Sequence, residues 1–421
     1  MKINKLALKF HSFYKGKLEI FPKFKIKNFS DFSIFYTPGV GAVVKEIAKN
    51  KEKVFEYSIK GNSVAVISDG TRVLGFGDVG PEAALPVMEG KAILFKYLGG
   101  VDAFPICLKE KKADKFCEIV KSLEPSFGGI NLEDIESPKC FYILEKLEKE
   151  MDIPVWHDDQ QGTAVVVLAG LVNALKIVRK KKEKVKISMI GAGAAMMGII
   201  NLLIFAGFPP QNMIVVDKKG ILNKKRKDYK NDKWRWKICQ ITNRENREGK
   251  IAEAIEGTDI CLAFSAPGPG IIKPEWIAKM KKEAIVFACA NPIPEILPKE
   301  AKEAGAKIVA TGRSDFPNQV NNALAFPGVF RGVLDVKARK ITPKMCLAAA
   351  HELARSAQEK GISEDYILPK LDEWEVFPRV ATAVGMEAIR EKVARIRISR
   401  KKLFEKCLNT IEEKREMIKK I

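Results

Sequence analysis

Between residues 185 and 330 the chain alternates strand-like and helix-like segments several times in succession, and no other feature constrains its fold as tightly. The strand-like runs are VKISMI, NMIVVD, DICLAF, AIVFACANP and KIVATGRSD, and a helix reaching Phe205 follows the first of them. Repeated strand-helix alternation implies parallel strands with helices on both faces. The expected class is therefore α/β, with a Rossmann-like doubly wound sheet in this half of the chain.

Residues 1–155 read as a separate, mixed α/β domain. A turn at Thr37-Pro38-Gly39 precedes a helix over roughly 40–50, then come a strand at SVAVIS, a strand-like VLGFG, a helix carrying Lys91 and a strand DAFPICL. The dinucleotide-binding domain is expected over 156–340, entered through the long apolar helix TAVVVLAGLVNALKIV, whose terminal lysine run suits a helix C-terminus. Residues 341–421 are expected to form a helical extension packed on the body, with Phe404, Leu408, Ile411 and Ile418 at helical spacing. The basic stretch NKKRKDYKNDKWRWK, residues 223–237, reads as an exposed insertion.

A length of 421 residues with 46% hydrophobic content accommodates two or three domains. The eight cysteines, at 107, 117, 140, 239, 261, 289, 346 and 407, show no C-x-x-C spacing, which argues against a zinc site and for reduced, buried thiols in a cytoplasmic protein. The first twenty residues lack an uninterrupted apolar core, so no secretory signal is expected. Residues 191–208 approach the length of a membrane span, but a glycine turn and Pro209-Pro210 bracket a helix too short to cross a bilayer. A formal net charge of +21 suits nucleic acid, membrane headgroups or anionic metabolites, and no helix-turn-helix, zinc-finger or RNP signature favours nucleic acid.

Chemistry concentrates in two places. Gly191-Ala192-Gly193 follows a strand and opens a helix, and Asp217 ends the next strand about 26 residues on. Such glycines let the backbone approach a pyrophosphate that rests on the helix N-terminus, while the acid can accept hydrogen bonds from an adenosine ribose. Lys218 and Lys219 beside it suit a 2′-phosphate instead, leaving NAD and NADP both open. Met196 stands where the fingerprint wants a small residue for close helix packing, with Gly198 nearby to relieve the crowding.

The second place comprises two acid pairs, Glu133-Asp134 and Asp158-Asp159, each closing a short apolar run, together with Lys91 in VMEGKAILF. Acid pairs are usually solvated surface. Acids at strand ends, however, face the crevice in which open α/β sheets bind ligands, and carboxylates from two segments can converge on a hard divalent cation.

In chain order, YTPGV at 36–40, SDGTRVLGFGDVGPEAALPVMEGKAILFK at 68–96, FGGINLEDIESPKCF at 127–141, HDDQQGTA at 157–164, the GAGAA loop, ANPIPE at 290–295 and GRSDFPNQVNNALAFPGVF at 312–330 resemble the malic enzyme signature. The resemblance spans roughly residues 8 to 340. It implies oxidative decarboxylation of malate to pyruvate and carbon dioxide, with NAD or NADP and Mg²⁺ or Mn²⁺. It implies Lys91 as base with Asp158 beside it, Tyr36 as proton donor to the enolate carbon, and Glu133, Asp134 and Asp159 as metal ligands. Arg72, Asn291 and Asn321 match substrate or nicotinamide contacts, with Asn322 a further candidate. Gly191, Gly193, Ala194, Ala195 and Asp217 match the coenzyme site. A lysine of ordinary pKa, about 10.4, is too protonated to serve as a base near neutrality, so Lys91 is expected to be desolvated or otherwise tuned. Phe35 stands where a smaller residue is commoner and is expected to reposition Tyr36.

The resemblance also implies a homodimer or larger assembly in which one subunit completes another's pocket. Two alternatives stand beside it: a malolactic or oxaloacetate-decarboxylating relative of the same fold, and a basic, nucleic-acid-associated protein built on an enzyme fold.

Overall fold

Two sheets divide the chain. In the computed structural model, which describes residues 2–420, the first sheet contains β1 (Ser63–Ser68), β2 (Asp102–Cys107), β3 (Gly129–Leu132) and β4 (Val155–His157), ordered β2-β1-β3-β4. The second contains β5 (Ile187–Ile190), β6 (Met213–Asp217), β7 (Gly220–Ile221), β8 (Ile260–Ala263), β9 (Ala284–Ala288) and β10 (Ala306–Thr311), ordered β10-β9-β8-β5-β6-β7. All pairings are parallel except that of β6 with β7. The class is thus α/β. Each sheet reverses its winding once, between β1 and β3 and between β5 and β8, and ligands of such sheets bind at that reversal, beyond the C-terminal strand ends.

Burial on both faces explains why these strands read as continuous apolar runs rather than alternating ones: every residue of β1 is buried. The expected strand VLGFG is not one. Val73 and Gly77 make only an isolated bridge, inside a loop where Gly70, Gly77 and Gly80 take φ of +69°, +79° and +83°, a conformation that stops a ladder from propagating. The helix that follows, Pro81–Gly99, starts on proline and stops at Gly100 with φ +63°. Its buried face carries Ala84, Met88, Lys91, Phe95 and Leu98, so helical spacing delivers the lysine inward with the apolar side chains.

Thr163–Ile177 is long and apolar because it is enclosed by protein, with eleven of its residues buried. The apolar run after the glycine loop is likewise a core helix, Ala194–Phe205. In the C-terminal extension, helices Pro343–Lys360, Val376–Arg390 and Arg400–Lys419 pack on the body. The last buries Leu403, Cys407 and Ile411, whereas Phe404 and Leu408 are half-buried flanks. The expected stripe is turned by one residue because a cysteine serves as an apolar side chain.

Two regions depart from expectation more strongly. The basic stretch 223–237 is a strap rather than a free insertion. Arg226 and Tyr229 grip Asp217, Trp234 donates to Glu145 at 2.5 Å and lies 5.5 Å from the Phe141 ring, and Lys233 also pairs with Glu145 at 2.7 Å. Acid partners distant in sequence convert an apparently solvated charge run into a tether between the sheets. At the other end of the chain, no residue from 3 to 59 is buried, although Ile3, Phe13, Ile20, Phe29 and Ile34 lie there.

Candidate active site

Three loops at the C-terminal ends of β1, β3 and β4 meet the buried face of the Pro81–Gly99 helix. Lys91, 8% exposed, places Nζ 2.6 Å from Asp158 Oδ2 and 3.0 Å from Glu133 Oε1, with the Phe326 ring 4.4 Å away. Asp158 is held in turn by the Trp156 indole, which donates to Oδ1 at 2.9 Å. It sits at the start of a wide π-type turn, Asp158–Gly162, that feeds the Thr163–Ile177 helix. A side chain at Gly162 would collide with the Asp158 carboxylate, so glycine is required there.

Glu133, Asp134 and Asp159 each present an oxygen, all within 4.8 Å of one another. Glu133 is fixed by Asn131 Nδ2 at 3.0 Å, and the Asp134 amide donates to Asp159 Oδ2 at 3.0 Å. Asp134 itself takes φ +54°, a cost of order 1–3 kcal/mol that clusters at functional positions. Burial, reinforced by the neighbouring Asp159 carboxylate, pushes Asp134 up to about 7. Burial likewise raises Glu133, against the opposing pull of Lys91 and with Asp159 adding to the rise. Asp134 Oδ2 is buried without a hydrogen-bond donor among the described residues. A cluster of crowded, under-donated carboxylate oxygens is the donor set a hard divalent cation requires, and three protein oxygens leave positions for substrate.

The expectation for Lys91 meets a correction. Burial does act to lower its pKa, but the carboxylates of Asp158 and Glu133 outweigh burial and hold the ammonium well above its ordinary value. In this arrangement Lys91 is a charged, paired group.

Of the remaining candidates, Arg72, Asn291, Asn321 and Asn322 lie on loops near this cluster, and Tyr36 does not. Arg72 is exposed, makes no side-chain hydrogen bond or ion pair among the described residues, and is tied by its backbone N–H to the Asp134 carbonyl at 3.0 Å. Asn291 is exposed on the loop after β9, and a Cβ on Gly75 in the Arg72 loop would meet the Asn291 carbonyl at 3.1 Å, so these two loops are in close contact. Asn321 uses Oδ1 to accept the Ala323 amide at 2.9 Å, leaving its NH₂ free to donate. Asn322 lies against Gly162, where an added Cβ would meet its own Cβ at 3.2 Å. Tyr36 is not brought in: its ring is 69% exposed and its hydroxyl has no partner among the described residues. Phe35 beside it stacks on Phe24, ring centroids 3.6 Å apart.

Gly191, at φ +110°, closely approaches the Phe264 carbonyl, and a Cβ on Gly193 would meet nothing within 4 Å. Space therefore lies open beside the loop, where Ala194 and Ala195 begin the helix. The close packing that Met196 was expected to disturb falls instead at Gly198, whose Cβ would collide with the Gln160 carbonyl, while Met196 is fully buried. Asp217 ends β6, but its carboxylate is already occupied: Arg226 donates at 2.6 and 3.1 Å, Tyr229 at 2.5 Å, and the amides of Lys219 and Gly220 at 2.8 and 2.9 Å. Burial would raise its pKa, yet these donors hold it below the ordinary value.

Sequence reasoning overlooked Glu295. Its fully buried carboxylate accepts from the Ser265 amide at 2.8 Å, the Ser265 hydroxyl at 3.0 Å and the Ala290 amide at 3.1 Å, joining the loops after β8 and β9. An acid closing the proline-rich run ANPIPE was the available signal. His157, buried beside Asp159 with neither ring nitrogen hydrogen-bonded among the described residues, was likewise passed over.

Residues 160–389 match the model of the malic enzyme NAD binding domain, and residues 15–113 and 110–148 match that of the malic enzyme N-terminal domain. The chain is 47% identical over 406 residues to a bifunctional malic/malolactic enzyme of Bacillus subtilis, covering 96% of this chain and 98% of the relative. It is 50% identical over 380 residues to an NAD-dependent malic enzyme of Geobacillus stearothermophilus, covering 90% and 78% respectively. The crystal structure of Entamoeba histolytica malic enzyme superposes with a TM-score of 0.96 at 48% identity, covering 99% of this chain and 88% of that one. The converged acids and lysine, the glycine loop and these matches lead to one conclusion: the chain belongs to the malic enzyme family.

Proposed function

We propose that the protein oxidatively decarboxylates (S)-malate to pyruvate and carbon dioxide with reduction of NAD or NADP. The single observation that carries this reading is the convergence of Glu133, Asp134 and Asp159 within 4.8 Å, with the Lys91 ammonium 3.0 Å from Glu133. Glu133, Asp134 and Asp159 would hold a divalent cation, which would supply Lewis acidity for the reaction and offset the carboxylate charge around Lys91. Lys91 would first pass its own proton to Asp158, which orients Nζ through a 2.6 Å contact, and the neutral amine would then accept the malate hydroxyl proton as hydride leaves C2 for the nicotinamide. Arg72, exposed and uncommitted, pairs with a substrate carboxylate. Asn321 and Asn291 orient substrate and nicotinamide from the second sheet. Cleavage of the bond to the departing carboxylate leaves an electron pair in an enolate, whose C3 takes a proton from Tyr36. Residues 1–155 thus carry Tyr36, Lys91 and part of the metal set, residues 156–340 the dinucleotide, and residues 341–421 brace the body.

Exposure of Tyr36 within an unburied apolar arm supports a homodimer. Contiguous exposed apolar surface marks interaction sites, and a second copy that covers residues 3–59 brings the arm's Tyr36 to its partner's lysine. All eight cysteines are free thiols, which supports a reducing, cytoplasmic setting.

The test is nicotinamide reduction, followed by absorbance, with malate, Mn²⁺ and each coenzyme. Reduction that requires both metal and malate is expected, and folded protein inert with both coenzymes overturns the reading. The bifunctional Bacillus subtilis relative favours a second reading, malolactic conversion. Lactate in place of pyruvate among the products would select it.

A further inference from the structure

The strap of residues 223–237 contains one side chain that touches both halves of the cleft. Arg235 lies on the helix Lys233–Ile241, whose N-cap Asp232 accepts the Arg235 amide at 3.1 Å. Its guanidinium spends each nitrogen on a different partner. Nε donates to the Ala192 carbonyl at 2.9 Å, Nη2 to Ser137 Oγ at 2.8 Å, and Nη1 to Asp232 Oδ2 at 2.6 Å. The Phe141 and Tyr229 rings lie 5.9 and 5.6 Å from its central carbon. Only 13% of the side chain is exposed.

These partners are not equivalent. Ala192 is the middle residue of the glycine loop. Ser137 belongs to the segment that leaves the acid cluster, three residues beyond Asp134. That segment is stitched in place: the Arg72 amide donates to the Asp134 carbonyl at 3.0 Å, the Glu136 amide to Thr71 Oγ1 at 3.0 Å, and Lys139 to Asp69 at 2.5 Å. A shift of Ser137 is therefore transmitted to the loop that carries two of the three acids. On the other side, a carbonyl bound to a guanidinium is held away from an incoming anion, so the loop offers its N–H groups instead. Arginine suits this post because its planar fork fixes direction as well as charge.

We propose that Arg235 is a positioning residue that couples dinucleotide binding at the glycine loop to divalent-cation binding at Glu133, Asp134 and Asp159. The inference rests on the functional reading above. Coupling of this kind is reciprocal, so each ligand tightens the other by the same factor.

The experiment measures free Mn²⁺ by its paramagnetic resonance signal, with and without saturating NADH or NADPH and with no substrate present, in the wild type, Arg235→Gln and Ser137→Ala. In the wild type, coenzyme is expected to tighten Mn²⁺ binding by about fivefold or more, the lower end of typical coupling factors. In both variants that factor is expected to fall below about twofold, while Mn²⁺ affinity without coenzyme changes little. Ser137→Ala keeps the guanidinium on the loop and removes only the far contact. It therefore separates bridging from charge, and it serves if Arg235→Gln fails to fold. Undiminished coupling in Ser137→Ala, or no coupling in the wild type, overturns the inference and leaves the functional reading intact. Failure of the wild type to bind Mn²⁺ at all overturns both.

Discussion

Lys91 illustrates how much a single position says and omits. Its place on a helix among apolar residues already marks it, because lysine is almost never fully buried unless it is paired. Lys91→Ala is expected to reduce malate oxidation by about 10²–10⁴-fold, the usual loss of a general base, with dinucleotide binding retained. Steady-state rates and coenzyme fluorescence check the two halves, and retained turnover would remove Lys91 from the mechanism. Its raised pKa was not legible in the sequence, since the sign depends on two carboxylates at 2.6 and 3.0 Å outweighing burial. Asp217 teaches the same lesson. Its position at a strand end was readable, but its capture by Arg226 and Tyr229 depends on how residues 9 and 12 positions later fold back.

At the scale of elements, the strands were readable because parallel sheets bury both faces and leave continuous apolar runs. The loop VLGFG imitated such a run and failed because its flanking glycines adopt left-handed conformations. The crossing of the Ala194–Phe205 helix over the π-type turn of Asp158–Gly162 is set by Gly198 against the Gln160 backbone. Helix propensity alone would favour Gly198→Ala by about 1 kcal/mol. The collision with a backbone carbonyl costs about 1–3 kcal/mol and wins. Gly198→Ala is therefore expected to lower the thermal midpoint, and also to weaken Mn²⁺ binding, because Asp159 is carried by the displaced turn. Calorimetry and metal titration check both, and an unchanged midpoint would show that the turn yields freely.

Across the whole molecule, Asp335 ties three regions together. It is 1% exposed and receives Arg331 at 2.8 and 2.9 Å and Lys406 at 3.0 Å, while Arg331 also donates to Asn62 at 2.5 Å. Asp335→Asn leaves a buried guanidinium uncompensated, at an expected cost of about 3–5 kcal/mol. Burial would raise the carboxyl, but Arg331 and Lys406 hold it below its ordinary value. Its contribution is therefore complete at neutral pH and lost as pH falls through the depressed folded value. The stability gap between wild type and Asp335→Asn is expected to stay level from about pH 8 to 5 and to close only below about pH 4. Denaturation at several pH values checks this.

The exposed arm makes a prediction at the same scale. Tyr36→Phe and Lys91→Ala proteins, each strongly impaired alone, are expected to regain activity when unfolded and refolded together, with about a quarter of the wild-type sites restored if the dimer shares its pockets. No recovery in a mixture proven to contain heterodimers would confine each site to one chain.

Local sequence determined the fold class, the glycine turn and the identity of the chemical groups, because strand burial, helix spacing and motif order are properties of neighbouring residues. Tertiary structure alone decided which charges meet. The pairing of Arg235 with Ser137, of Glu295 with two loops and of Arg226 with Asp217 depends on chain segments brought together by packing, and electrostatic energy follows distance in space rather than separation in sequence.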